Sequence, residues 1–420
     1  MIYLLTVLEL GVAAILLAGA FAVLVARRSF LLPPPISRLM RIVVAVATAL
    51  PGIGMIVATL VPIVAFFAAM LAVAVAGTLA GATRLRGERP NWIALSLVVV
   101  GSLGAAILQP LGLRVLALPK ADALVYQPIP AQVIKTYDAG VGFESVRAGP
   151  MGTLYLAANA GLDFTDREYY RKAQGQIIAR HSDGTERIVF TTPVGSTAGV
   201  MAIASDATIY MTSNGRSPGI WRISPQGEAA KIATMPSGAW PNGLDFGPDG
   251  MLYSADSNLG LIWRIDPVSG KFDVAIRNKR LSARPFVALA PGANGLHFRG
   301  RDLIVTVSDS TEILKFSAMP NGTFGPASLI ARGIPGDDFA VAKDGSLFVT
   351  THPYNTVVRV EPNGRRTTVA DARQQIVGAT DICFGSGAAD RDVLYVATDG
   401  GAFTAGAKAR GQLIALTPYR

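Results

Sequence analysis

Glu144, Asn242, Asn294 and Asp337 are the residues of this 420-residue chain whose types and spacing point most directly to chemistry. They fill one equivalent position in a repeat whose six copies begin at Glu144, Gly199, Asn242, Asn294, Asp337 and Thr380, spaced 55, 43, 52, 43 and 43 residues apart. If the repeats surround an axis, equivalent positions converge on it. Two carboxylates and two amide carbonyls around one point form a hard-oxygen site suited to Ca²⁺, and another divalent cation would satisfy the same donors. Asn-Gly, at 242–243 and 294–295, is also a common turn dipeptide that needs no metal. Four oxygen donors in register on four repeats exceed what turn chemistry requires.

The elements that must position these residues are strands. The third repeat shows the unit best: Asn242 to Asp256 gives a short apolar strand, a Pro-Asp-Gly turn and a β-rich strand, and Leu261 to Pro267 gives a third strand ending in Asp-Pro. Strand-length runs bounded by Gly, Pro, Asn and Asp clusters are the hairpin signal, and the period is that of a four-stranded propeller blade. The sixth repeat stops at Arg420 after its third strand, while an orphan strand-like segment, Ala131–Asp138, precedes the first. Letting that segment complete the sixth blade closes the ring and leaves no open sheet edge.

In such a ring the second strand returns to the edge where the first began. Its last residues, Asn159, Asn214, Asp256, Asp309, His352 and Asp399, are expected to rim the same mouth as a substrate-binding collar. Most are expected to close loops by hydrogen bonding; His352 is the exception with a side chain that titrates near neutrality. His181 and His297 are read as structural. The insertion Gly161–Gly175, with Phe164, Tyr169 and Tyr170, reads either as a lid over the mouth or as a solvated loop that packs on a membrane surface. Cys383 is the single cysteine, so there is no intrachain disulfide, and it follows an inner-strand Ile as a buried, inert thiol.

On these motifs the repeats resemble the senescence-marker-protein (regucalcin), gluconolactonase and luciferin-regenerating-enzyme family. Glu144, Asn242, Asn294 and Asp337 match the family's cation ligands in order, with the same ligand-free blade after the Glu. Phe143-Glu144-Ser145 stands where the family often has Glu-Gly-Pro, Asp337-Asp338-Phe339 where it has Asp-Gly-Ile, and Thr380–Gly385 is similar to its closing Thr-Ser-x-x-Phe-Gly segment. The resemblance covers about residues 130–420 and extends to strictosidine-synthase-like and paraoxonase-like propellers. It implies six blades, a central Ca²⁺ and hydrolysis of lactones or related esters, with Asp337 both a ligand and the base that activates water.

The remaining quarter is different in kind. Half of all residues are hydrophobic and 16% are charged, against about 25% in a soluble chain; mean hydropathy is +0.39. Residues 1–118 hold eight Arg, no Lys and two acids, Glu9 and Glu88. Ile2–Ala26, the uncharged run Ile42–Ala80 with a turn near Leu60–Pro62, and Trp92 to about Leu113 are each long enough for spans of roughly 20 residues. Arg27–Arg41 and Arg84–Arg89 mark two cytoplasmic loops under the positive-inside rule. The expected architecture is therefore an all-α transmembrane domain of about four helices (1–118) followed by an all-β six-bladed propeller (119–420). The propeller is placed on the extracytoplasmic side, periplasmic or at the cell surface. The pI of 9.7 comes mostly from the loop arginines, so nucleic acid is not an expected partner. The expected function is a membrane-anchored, Ca²⁺-dependent hydrolase of a small lactone or ester. The alternative is a non-catalytic binding or scaffold propeller with a structural Ca²⁺.

Overall fold

The computed structural model describes residues 118–161, 168–284 and 290–417, with isolated positions between Leu16 and Ser96. The chain divides into two units, Met1–Leu118 and Pro119–Arg420.

The transmembrane domain expected over residues 1–118 lies outside the described residues apart from those isolated positions, and that part of the expected fold class is corrected. Among the described residues no helix is long and apolar enough to cross a membrane; α1 (Tyr169–Lys172) and α2 (Ala402–Ala405) have four residues each. The fold class supported is an all-β six-bladed propeller. The multi-pass membrane location with an extracytoplasmic propeller rested on those spans and is withdrawn with them. A span requires one continuous helix of about 20 residues. Apolar composition meets one condition for it, while helix continuity is a separate condition that hydropathy does not test.

Two short strands precede the ring, β1 (Val125–Tyr126) and β2 (Ala131–Thr136). Blade one is β3 (Val141–Ala148), β4 (Leu154–Ala160), β5 (Gln174–Arg180) and β6 (Glu186–Thr191). Blade two is β7 (Met201–Ile203), β8 (Ile209–Ser213), β9 (Gly219–Ile223) and β10 (Ala229–Thr234). Blade three is β11 (Pro241–Phe246), β12 (Leu252–Asp256), β13 (Leu261–Ile265) and β14 (Phe272–Arg277). Blade four is β15 (Ala293–Arg299), β16 (Asp302–Val307), β17 (Glu312–Ser317) and β18 (Ser328–Arg332). Blade five is β19 (Phe339–Val341), β20 (Leu347–Thr351), β21 (Thr356–Val360) and β22 (Arg366–Asp371). Blade six is β23 (Ala379–Phe384), β24 (Leu394–Thr398) and β25 (Gln412–Leu416).

The orphan segment closes the ring. β2 pairs antiparallel with β25, Ala131 opposite Leu416 and Thr136 opposite Gln412, and becomes the outermost strand of blade six. Glu186 of β6 clamps the end of this strand to blade one, accepting from Lys135 Nζ at 2.6 Å and Tyr137 Oη at 2.7 Å. β1 adds a feature that strand counting does not anticipate. It pairs parallel with β22 as a fifth strand of blade five, and the Arg373 guanidinium lies 3.7 Å from the Tyr126 ring centroid.

The core is distributed between blades. Phe348 with Val396 and Ile414 fills the gap between blades five and six, Leu244 with Ile220 that between two and three, and Leu296 with Ile262 that between three and four. Met201 with Tyr155, Phe143 with Leu413, and Phe339 with Ile304 fill the other gaps. Each blade alone would expose an apolar face, so only the closed ring buries them all.

Candidate functional site

The innermost strands are regular except where the candidate residues sit. Between β3 and β4 the register shifts between Phe143 and Ser145, leaving Glu144 as the extra residue. The β11–β12 register shifts between Pro241 and Leu244, the β15–β16 register between Ala293 and Leu296, and the β23–β24 register between Ala379 and Asp381. Asn242, Asn294 and Thr380 lie within these shifts, and a bulge re-aims a side chain out of the sheet's alternation. Asp337 lies just ahead of β19, its N–H donating to Thr350 O at 2.8 Å.

The Asn-Gly pairs are not turns. Gly243 and Gly295 are inside strands, and a Cβ on Gly243 would stand 2.4 Å from Asn294 O, one on Gly295 2.5 Å from Asp337 O. Neighbouring inner strands approach too closely for a side chain there. The glycines therefore set the blade-to-blade distance that brings Asn242, Asn294 and Asp337 together.

These residues line one cavity of about 160 Å³. Asn242 Nδ2 donates to Asn294 Oδ1 at 2.5 Å, and Asn294 Nδ2 donates to Asp337 Oδ1 at 2.7 Å and to Ser308 Oγ at 2.9 Å. His352 stands beside Asp337, with Nδ1 3.9 Å from Asp337 Oδ2 and Nε2 2.9 Å from Asp399 Oδ2. Burial pushes the Glu144 carboxyl up to about 7, opposed by His352 and reinforced by Asp399. Burial likewise raises Asp337 well above the usual carboxylate range, against the His352 charge and with Glu144 adding to the effect. Burial lowers His352, but Asp399, Asp337 and Glu144 outweigh it and raise the imidazole to about 9. The carboxylates around it thus favour the charged imidazole.

His352 and Asp399 balance each other, which leaves Glu144 and Asp337 in a cavity with no Lys or Arg among its described lining residues. The donor set suits a hard divalent cation: both carboxylates and the Asn242 amide oxygen, with Asn294 Oδ1 joining them where it gives up its bond from Asn242 Nδ2. Among the described residues no three His, Cys, Asp or Glu side chains form a metal-holding group. A cation here would depend on the amide oxygens as well as the acids.

The expected collar divides in two. Asn159, Asn214, His352 and Asp399 line the cavity, whereas Asp256 and Asp309 do not. Asp256 is consumed by Trp240 N at 3.0 Å and Trp263 Nε1 at 2.8 Å, and Asp309 by Arg284. Asn159 spends both ends of its amide on Ala198, at 2.9 Å each, and Asn214 Nδ2 donates to Pro241 O at 3.0 Å. From the insertion Gly161–Gly175, Tyr169 and Tyr170 reach the cavity on α1; Phe164 lies outside the described residues.

Sequence reasoning missed two groups. Trp240 and Phe403 line the cavity, and only the position of Trp240 two residues before Asn242 hints at it. Below the cavity, Arg147 ties the inner strands together. Its Nη2 donates to Asp338 Oδ2 at 2.8 Å, and its Nη1 donates to Asp381. His297, held between Asp338 Oδ1 at 3.0 Å and Asp245 Oδ2 at 3.3 Å, completes this floor. Cys383 is close to it, its thiol pushed up to about 12 by burial, which makes it a poor nucleophile.

The chain matches no protein-family model and no curated protein sequence. Among solved structures it is similar to a gluconolactonase from Xanthomonas campestris, at 16% identity and a TM-score of 0.49 over 71% of this chain and 97% of that one. It is similar also to a calcium-binding regucalcin from Agrobacterium tumefaciens, at 16% identity and 0.49 over 70% and 95%. A luciferin-regenerating enzyme stands at 13% identity and 0.49 over 69% and 95%. The functional reading rests on the geometry of the cavity.

Proposed function

We propose that the chain is a hydrolase of lactones or related esters that works with a divalent cation, Ca²⁺ by donor type, at Glu144, Asn242, Asn294 and Asp337. One observation carries the proposal: two partly buried carboxylates, in line with two amides, share a cavity that supplies them no Lys or Arg. A bound cation would polarise the ester carbonyl as a Lewis acid.

The chain's own residues account for the proton transfers. Asp337 Oδ1 is anchored by Asn294, which leaves Oδ2 to take a proton from the attacking water. The water oxygen bonds to the carbonyl carbon, the C–O bond to the alcohol breaks, and the leaving oxygen takes a proton from His352. Asp399 holds that imidazole in place and in its charged form. In a lactone both products stay on one molecule as a hydroxy acid. The test is the full chain against a panel of lactones and aryl esters, with and without chelator, beside Asp337→Asn. Chelator-sensitive hydrolysis that collapses in Asp337→Asn at saturating Ca²⁺ is expected. Cation binding with no hydrolysis of any member would leave the cation a structural role and overturn the proposal.

A further inference from the structure

One wall of the cavity is aromatic and has no part in the proposed chemistry. Tyr169 and Tyr170 meet edge to face with centroids 4.9 Å apart, and Tyr170 meets Trp240 at 5.0 Å and 86°. Phe143, Pro291 and Phe403 continue the apolar lining. Phe403 is 53% exposed at the mouth, its ring 5.1 Å from His352.

Much of the polar collar that would read a hydroxylated substrate is already engaged, with Asn214 Oδ1 the buried acceptor left without a partner among the described residues. Asn159 is committed to Ala198 at both ends, and Asp399 to His352 and the N–H of Gly401 at 2.7 Å. Beyond Asn214 Oδ1 and the oxygens assigned above to the cation and the proton transfers, a substrate hydroxyl brought into this space loses water without gaining a partner, a cost that an apolar ring avoids.

The geometry points to an ester or lactone carrying one flat apolar ring, seated on Tyr170 and Trp240, rather than a polyhydroxylated sugar lactone; this rests on the hydrolase reading above. Trp240 and Tyr170 are then specificity-determining residues.

The two readings separate in one set of measurements on the full chain. Dihydrocoumarin and glucono-δ-lactone share a six-membered lactone and differ in what it carries, an aromatic ring or hydroxyls. Dihydrocoumarin is expected to be hydrolysed with a kcat/KM at least about tenfold higher, and Trp240→Ala to lose about tenfold on it, chiefly in KM, as expected for a lost aromatic contact. Trp240→Phe, which keeps a ring, should recover most of that loss. Glucono-δ-lactone should lose clearly less than dihydrocoumarin in Trp240→Ala, and the ratio of the two losses is the readout. 1-Tetralone, which keeps the ring and carbonyl but has no ester to cleave, should bind and change the tryptophan fluorescence in the wild type, with the change lost in Trp240→Phe. A preference for glucono-δ-lactone overturns the aromatic assignment and leaves the hydrolase reading standing. Tetralone binding at Trp240 without hydrolysis of either lactone does the reverse. Absence of tetralone binding to a folded protein refutes the aromatic assignment.

Discussion

Arg147 Nη2 on the innermost strand of blade one donates to Asp338 Oδ2, beside the innermost strand of blade five, at 2.8 Å. The pair links blades one and five, and a second bond from Arg147 reaches Asp381 on blade six. All three side chains are nearly inaccessible, so none can turn to water if a partner is removed. The neighbouring His297 and Arg147 hold Asp338 down to about 2 against the effect of burial. Arg147→Met should therefore destabilise the fold by about 3–5 kcal/mol, the cost of stranding buried carboxylates. Adding Asp338→Asn and Asp381→Asn to it should restore part of the loss, because the stranded charges go too. Denaturant midpoints of the three proteins check this; a midpoint for Arg147→Met equal to wild type would refute it.

Ring closure carries a pH signature. Burial raises the Glu186 carboxyl, but hydrogen bonds from Lys135, Tyr137 and Arg180 outweigh it and hold the group below its ordinary 4.5. A carboxyl depressed in the folded state contributes stability that is fully present above 4.5 and is lost as pH falls through the folded value. Wild type should be more stable than Glu186→Gln near pH 7, with the difference shrinking as pH falls below about 4.5. A gap that stays constant down to about pH 3 would show that Glu186 is not tied as described.

The blade repeat and the closing strand were legible because both are written in local patterns: alternating apolar runs, Pro-Asp-Gly turns and a missing last strand. Asp249 shows the link, since the turn residue accepts from Met251 N and Tyr253 Oη of the strand it introduces. The convergence of Glu144, Asn242, Asn294 and Asp337 was legible as a register position. What aims them was not, because a bulge is a mismatch between two strands and leaves no mark on either alone. The same limit explains Gly243 and Gly295, which read locally as turn residues and are fixed by the backbone of the next blade. Asp256 and Asp309 lie at the expected collar position yet face Trp263 and Arg284, partners that only the folded loops supply. The membrane spans are the opposite case: run length and arginine placement point to them, while no helix among the described residues is long and apolar enough to cross a membrane.

His352 separates catalysis from scaffolding. Its Nε2 is fixed by Asp399, and its Nδ1 stands 3.9 Å from Asp337 Oδ2, the oxygen that Asn294 leaves open. His352→Gln should lower kcat for ester hydrolysis by about 10²–10⁴, the worth of a positioned acid, with little change in KM. Asp399→Asn should give a smaller loss, since the imidazole remains but is no longer held charged. Steady-state kinetics on the best ester of the panel decides it. Unchanged kcat in His352→Gln would remove the imidazole from the reaction.

The cation can be tested without any substrate. Both carboxyls are raised chiefly by burial, with Asp399 adding to the effect at Glu144 and Glu144 adding to it at Asp337. A divalent cation that binds only the folded ring relieves this and adds stability of about RT ln(1 + [L]/Kd), or roughly 2.7 kcal/mol at a hundredfold excess over Kd. Thermal unfolding of the full chain should therefore shift upward with Ca²⁺ and return with chelator. Asn242→Ala removes a donor oxygen and also the hydrogen bond that orients Asn294, so the same shift should require more Ca²⁺. Glu144→Gln tests charge: the apo protein should become more stable than wild-type apo, because one of two crowded carboxylates is gone, while its response to Ca²⁺ weakens. Mg²⁺ should produce a smaller shift, since it demands near-octahedral geometry and releases water reluctantly. If Ca²⁺ leaves the unfolding temperature of the wild type unmoved, or moves Glu144→Gln as much as the wild type, the four residues do not share a cation.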